Sequence, residues 1–244
     1  ISFAKIKEHL ECTAMNIDEI TSFNEFTSIK NLSEKGLSFL TDSRFYTENI
    51  PSSGTIVCNQ SIHRKIKNTN PLIIVNDVHS AVAKLSNIFY RSLKNNEIKS
   101  LDKPKIDSNC NISQTAIIEN GSIIGKNVNI KAGCFIGHNC IIGDNTSIDS
   151  NAVITNSIIA ENTYVGRNSS LGQQGFGFAI NKNKNIKIFH IGRVILQAGV
   201  SIGSNCTIDR GSFGDTIIGQ NTYFDNLCHV AHNVIVGNNC IFAA

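Results

Sequence analysis

The chain has 244 residues, a formal net charge of +3 and only 17% charged residues. Nothing in that balance points to nucleic acid, and no run of like charges forms a tail. No stretch is apolar for the roughly 18 residues a membrane span needs, and the opening Ile1–Lys5 lacks the basic start and apolar centre of a signal peptide. The protein is therefore expected in the cytoplasm, and the missing initiator Met predicts residues ahead of Ile1. Three prolines, no tryptophan and heavy use of Asn, Ile and Lys are unusual for an enzyme, and an AT-rich genome would produce the same bias.

Residues 1–98 read as a small α/β domain. Phe3 to Leu10 has the spacing of a short amphipathic helix. Thr55–Cys58 and Leu72–Val75 are short apolar runs between polar flanks, the pattern of buried strands. His79 to Tyr90 sets Val82, Leu85, Ile88 and Phe89 on one helical face. Asn95 to Lys105, polar and followed through by Pro104, reads as the linker.

Residues 99–244 are governed by a repeat of six. An aliphatic residue recurs at Ile106, Ile112, Ile118, Ile124, Ile130, Ile136, Ile142, Ile148 and Ile154. The frame slips once and resumes at Ile159, Val165 and Leu171. After an interruption from about 172 to 193 it returns at Leu196, Ile202 and Ile208, and after a shorter one at Ile218, Phe224, Val230, Val236 and Phe242. Each hexad supplies a short strand and a turn. Three hexads close a triangular coil, and coils stack at the strand spacing of about 4.8 Å. The residue four places after the aliphatic one also points inward and must be small. Six of the eight cysteines fall in that slot (Cys110, Cys134, Cys140, Cys206, Cys228 and Cys240), which predicts free thiols used as small hydrophobes. The chain stops in mid-repeat at Ala244, so further coils and a helical tail are expected beyond it.

Chemistry is expected where the repeat is broken. Leu171–Ala179 is a Gly-rich loop with two aromatics, which serves equally well as a ligand contact or a surface excursion. Thr207–Ser212 carries Asp209 and Arg210, where a turn role competes with a catalytic one. Phe224–Asn233 holds His232 two residues after inward Val230, so its imidazole projects from a corner. Asp225 is the candidate orienting partner of that general base.

The segments Gly172–Ala179, Ile191–Val194, Thr207–Gly211, Asp215–Gly219 and Asp225–Val234 resemble, in order and spacing, the UDP-3-O-acylglucosamine N-acyltransferase family of hexapeptide-repeat enzymes. That resemblance implies a mainly β protein. A left-handed parallel β-helix would follow a small α/β uridine-binding-like domain, and the assembly would be a homotrimer. It also implies transfer of a 3-hydroxyacyl chain from acyl carrier protein to the 2-amino group of UDP-3-O-acyl-glucosamine, with neither metal nor cofactor. The family's catalytic base falls on His232. Asp225 and Asn226 match its Asp-Asn pair, which supports the histidine and the acyl group. Gly175 and Phe176 lie in its substrate loop. His229 occupies a position the family does not treat as essential, and its second active-site histidine would lie beyond Ala244. Phe39 and Phe45 would sandwich the uracil and residue 42 would bond its edge. Here Asp42 replaces Asn, so an ionised side chain can only accept, and Gln174 stands where the family has Asp. Three rivals stand beside this reading. One is a hexapeptide acyltransferase for a different nucleotide sugar or a hydroxyl. Another is a β-helix metalloenzyme using His138, His229 and His232, similar to γ-class carbonic anhydrase. The third is a structural solenoid.

Overall fold

The computed structural model describes residues 1–244 apart from 47–49, 51, 53, 67–68, 100–101 and 181–183. Its contacts divide the chain into two compact units: Ile1–Asn95 with Gly177–Ile191, and Asn96–Phe176 with Gly192–Ala244.

The first unit is an α/β layer. Strands β1 (Cys12–Met15), β2 (Glu25–Phe26), β3 (Gly36–Phe39), β4 (Thr55–Cys58) and β5 (Leu72–Val75) form one sheet in the order 1-5-4-3-2. Only β1 runs antiparallel to its neighbour. The two apolar runs of the sequence are β4 and β5, at the same bounds. The first helix, α1 (Phe3–Lys7), is shorter than its apolar spacing suggests; it is capped by Ser2 and buries Phe3 and Ile6. The long helix α3 (Val78–Lys99) covers the expected 79–90 and continues into the predicted linker. Asn and Lys at its end do not break a helix as Pro104 does. Val82, Leu85, Ile88 and Phe89 are buried as the helical face predicts.

Residues 177–191 leave the repeat and join this unit. Phe178–Ile180 and Asn185–Lys187 pair as an antiparallel ribbon. The Phe189 ring stacks on Tyr90 with centroids 4.9 Å apart, and its N–H donates to Ser86 Oγ at 2.9 Å. A segment that reads as a surface loop therefore has an aromatic anchor of its own.

The second unit is the expected left-handed parallel β-helix. Its strands stack into three parallel sheets of seven, seven and six. The first face runs from Lys105–Ile106 to Ile235–Val236, the second from Asn111–Ile112 to Ile241–Phe242, and the third from Ile117–Ile118 to His229–Val230. The periodic aliphatic residues from Ile124 to Val236 form one buried column with Val128, Cys134, Cys140, Ala152 and Cys206. The thiols are free. Cys134 and Cys206 point their sulfurs at the carbonyls of Asp149 and Asp225 in the next coil, each at 3.1 Å. Burial pushes the Cys140 thiol up to about 11, so it stays protonated and inert.

The asparagine content has a structural cause. Twelve asparagines of the repeat, from Asn109 to Asn239, stand at coil corners with φ between +46° and +64°. Asn tolerates that left-handed conformation better than other side-chain-bearing residues. Equivalent asparagines also bond coil to coil, as Asn127 does to Asn145 at 3.1 Å and Asn221 to Asn239 at 2.9 Å.

A candidate active site on the upper coils

The coils that carry His232 are fastened by glycines. A Cβ on Gly211 would lie 1.7 Å from the Gly214 carbonyl oxygen, and one on Gly192 2.0 Å from the same atom. Only glycine admits this approach. It lets the 210–216 turn fold against residues 192–193, where the Gly192 N–H donates to Gly211 O and the Thr216 N–H to Arg193 O, both at 2.9 Å. Buried Arg210 adds its Nε–H to Gly192 O at 2.6 Å.

His232 is half-buried at the corner between the third and first faces. Its Nδ1 lies 2.9 Å from Asn233 Oδ1 and 3.2 Å from Ser212 Oγ. The same Asn233 oxygen accepts the Ser212 backbone N–H at 3.0 Å, and the Asn233 N–H donates to Thr216 Oγ1 at 2.9 Å. A backbone N–H can only donate, so the atom it faces is the amide oxygen. An amide oxygen can only accept, so the His232 proton sits on Nδ1. Nε2 is left with its lone pair, the form a general base requires.

Asp225 stands at a different corner from this ring within the chain. It follows the second-face strand Tyr223–Phe224, whereas His232 follows the third-face strand His229–Val230. The two residues occupy successive corners of one coil. The Asp225 carboxylate accepts the N–H of Asn226 at 2.7 Å and its side-chain amide at 3.3 Å. Asn226 in turn accepts the Ser204 N–H at 2.7 Å. Both are exposed turn residues, and within the chain Asn233 and Ser212 meet the His232 ring.

A second polar column rises on the third face. Gln173 Nε2 donates to Asp209 Oδ1 at 2.7 Å, and Asp209 Oδ2 lies 3.3 Å from His229 Nε2. Asp209 is 7% exposed, while the His229 side chain is 61% exposed. Ser170 supports the column by donating to Gln173 Oε1 at 3.0 Å. In the loop below, Gly175 is buried and Phe176 exposed. His138 stands apart: its N–H and ring both engage Glu119, the ring at 3.3 Å. Among the described residues no group of three or more His, Cys, Asp or Glu is arranged to hold a metal ion. No described helix is long and apolar enough to cross a membrane.

In the first unit, Phe39 ends β3 and packs on Phe26 at 5.7 Å, while Phe45 is 60% exposed. Asp42 is engaged by Arg44 through its backbone N–H at 2.8 Å and its guanidinium at 2.6 and 2.9 Å. The bonds from Arg44 hold its carboxyl at about 2, so it is an acceptor at any working pH.

Residues 101–189 match the model of the GMPPB C-terminal domain, and residues 215–244 that of the bacterial transferase hexapeptide (six repeats). UDP-3-O-acylglucosamine N-acyltransferase of Caulobacter vibrioides (strain NA1000 / CB15N) is 50% identical over 74 residues, 30% of this chain and 22% of the relative. That of Methylobacterium nodulans is 51% identical over 74 residues, 30% of this chain and 21% of the relative. The matched stretch thus spans about a fifth of those proteins (22% and 21%). A solved structure of LpxA, a UDP-N-acetylglucosamine acyltransferase from Bacteroides fragilis 9343, is 30% identical with a TM-score of 0.48, covering 53% of this chain and 49% of that one. Residues 215–244 thus match the bacterial transferase hexapeptide repeat, and a stretch of 74 residues is half identical to UDP-3-O-acylglucosamine N-acyltransferases.

Proposed function

We propose that the chain is the acceptor-binding and catalytic part of an N-acyltransferase. The enzyme moves a 3-hydroxyacyl chain from the thioester of acyl carrier protein to the 2-amino group of UDP-3-O-acyl-glucosamine, in the cytoplasm. The observation that carries this reading is the His232 imidazole, proton fixed on Nδ1 and half-exposed at a corner. Nε2 takes a proton from the amine as its nitrogen attacks the thioester carbonyl. The imidazolium then protonates the departing thiolate. No covalent enzyme intermediate is required, because an amine is itself a competent nucleophile.

In this reading the exposed Phe45 and the edge of Phe39 stack on the uracil. Asp42, held ionised by Arg44, accepts from the uracil N–H and does not donate to a carbonyl. Gly175, Phe176 and Asn226 border the sugar and acyl chain.

The first face supports self-association. Ile123, Ile141, Ile158, Ile195, Ile217 and Ile235 pair in register on its outward side. This is an apolar stripe about 24 Å long at the strand spacing, with Ile235 73% exposed. Such a patch marks a protein interface, and three copies meeting along it make the homotrimer. Sedimentation of the protein tests that, with a mass three times the monomer expected. The activity is tested by offering an acyl-carrier thioester with 2-amino and 2-hydroxyl forms of the nucleotide sugar. An amide product from the amine is expected. Ester formation, or no transfer to either acceptor, would refute the assignment.

A further inference from the structure

The His229 column raises a question that one base leaves open. An amine such as the chain terminus titrates near about 8, so at neutral pH the acceptor arrives mostly as an ammonium. Forming an amide from it removes two protons from nitrogen, and His232 accounts for the one lost during attack.

His229 has a carboxylate partner that suits it to accept the other. Its Nε2 faces a carboxylate oxygen of Asp209 at 3.3 Å, and an ionised carboxylate only accepts. The ring proton therefore sits on Nε2 and Nδ1 carries the lone pair, the opposite tautomer to His232. Asp209 is 7% exposed and fixed from behind by Gln173 at 2.7 Å. It can neither turn away nor be reached readily by solvent, so it is a stationary counter-charge for an imidazolium. The His229 ring itself is 61% exposed and points outward from the third face. Among the described residues the titratable group at hydrogen-bond distance from it is Asp209 on the strand below; Ser170 and Gln173, lower in the column, are uncharged.

We propose that His229, held by Asp209, is a second proton acceptor that converts the bound ammonium to the free amine before acyl transfer. The idea rests on the N-acyl reading above. In sequence, the ammonium gives one proton to His229 Nδ1, leaving a neutral amine beside an Asp209–imidazolium pair. The nitrogen lone pair forms the C–N bond and the second proton passes to His232 Nε2. The C–S bond breaks, and the thiolate takes the His232 proton. His229 then releases its proton to water. One ammonium and one thioester give one amide, one thiol and one proton.

The test is the pH profile of kcat/KM for the amine acceptor in wild type, His229→Ala and Asp209→Asn. Both variants should fall about tenfold or more below wild type near pH 6.5, within the range of a lost proton acceptor. They should converge with wild type above about pH 9, where the acceptor is already neutral. Profiles that stay parallel across the range would overturn the second acceptor while leaving N-acyl transfer standing. Absence of transfer in the wild type at every pH would overturn both. Nitrogen NMR of the wild-type imidazoles gives a readout independent of activity. His229 protonated on Nε2 is expected, with that preference lost in Asp209→Asn. A proton on Nδ1 in the wild type would overturn the proposal.

Discussion

The lower coils, 106–165, and the upper coils, 170–233, are built on one repeat and differ in what breaks it. In the lower coils every corner is a short turn, and polar side chains serve neighbouring coils. Ser122 Oγ donates to Gly137 O at 2.9 Å, and Asp149 is clamped by Lys131 at 3.1 Å and Arg167 at 3.0 Å. In the upper coils, glycines at 192 and 211 permit a backbone approach no other residue allows. There the polar side chains of Ser212, Asn233 and Asp209 are turned onto two imidazoles, and Gln173 onto Asp209. The inward column is alike in both halves. Stability thus comes from the column, and the proposed chemistry is assigned to what the corners are freed to hold.

Substitutions in the two regions separate these roles. Ile148→Ala, in the fully buried column, should destabilise by about 2–5 kcal/mol. Calorimetry should show that loss with the active-site geometry intact in the fraction still folded. Asn233→Ala removes the acceptor that fixes the His232 tautomer. Losing an orienting bond of about 1.5 kcal/mol should lower turnover about tenfold, with Asn233→Asp restoring most of it. Unchanged turnover in Asn233→Ala would mean that the ring is oriented by Ser212 alone. The smallest effect is expected at Leu227, which sits at φ +62° where equivalent corners carry Asn or Gly, and is 73% exposed. Leu227→Asn should stabilise by about 1 kcal/mol, the left-handed penalty of an ordinary side chain. A thermal midpoint that falls would show that Leu227 is held by contacts worth more than its strain.

The repeat was legible because each inward position is set by side-chain volume and polarity, which are local to the hexad. The strands β4 and β5 were legible for the same reason. The partners of the imidazoles were not, because they lie one coil away. Ser212 meets His232, and Asp209 meets His229, each across 20 residues. One coil is 22 residues at this point, since Ile208 pairs with Val230, so each contact runs diagonally, two residues short of the strand register. Asp225, near in sequence, is turned to another corner. One-coil spacing from His229 leads to Thr207, its register partner, so Ser212 and Asp209 are found only once the four extra residues of the turn and the diagonal contact are known. The corner asparagines were not legible from composition, because their role is a backbone angle, which composition does not display. The ribbon at 177–191 escaped because Phe189 finds Tyr90 at a separation no periodicity records.

Turnover of His232→Ala with the amine acceptor, beside its thermal midpoint, tests the central claim most directly. A fall of about 10²–10⁴ with the midpoint unchanged is the predicted result. Wild-type turnover in that variant would contradict the account.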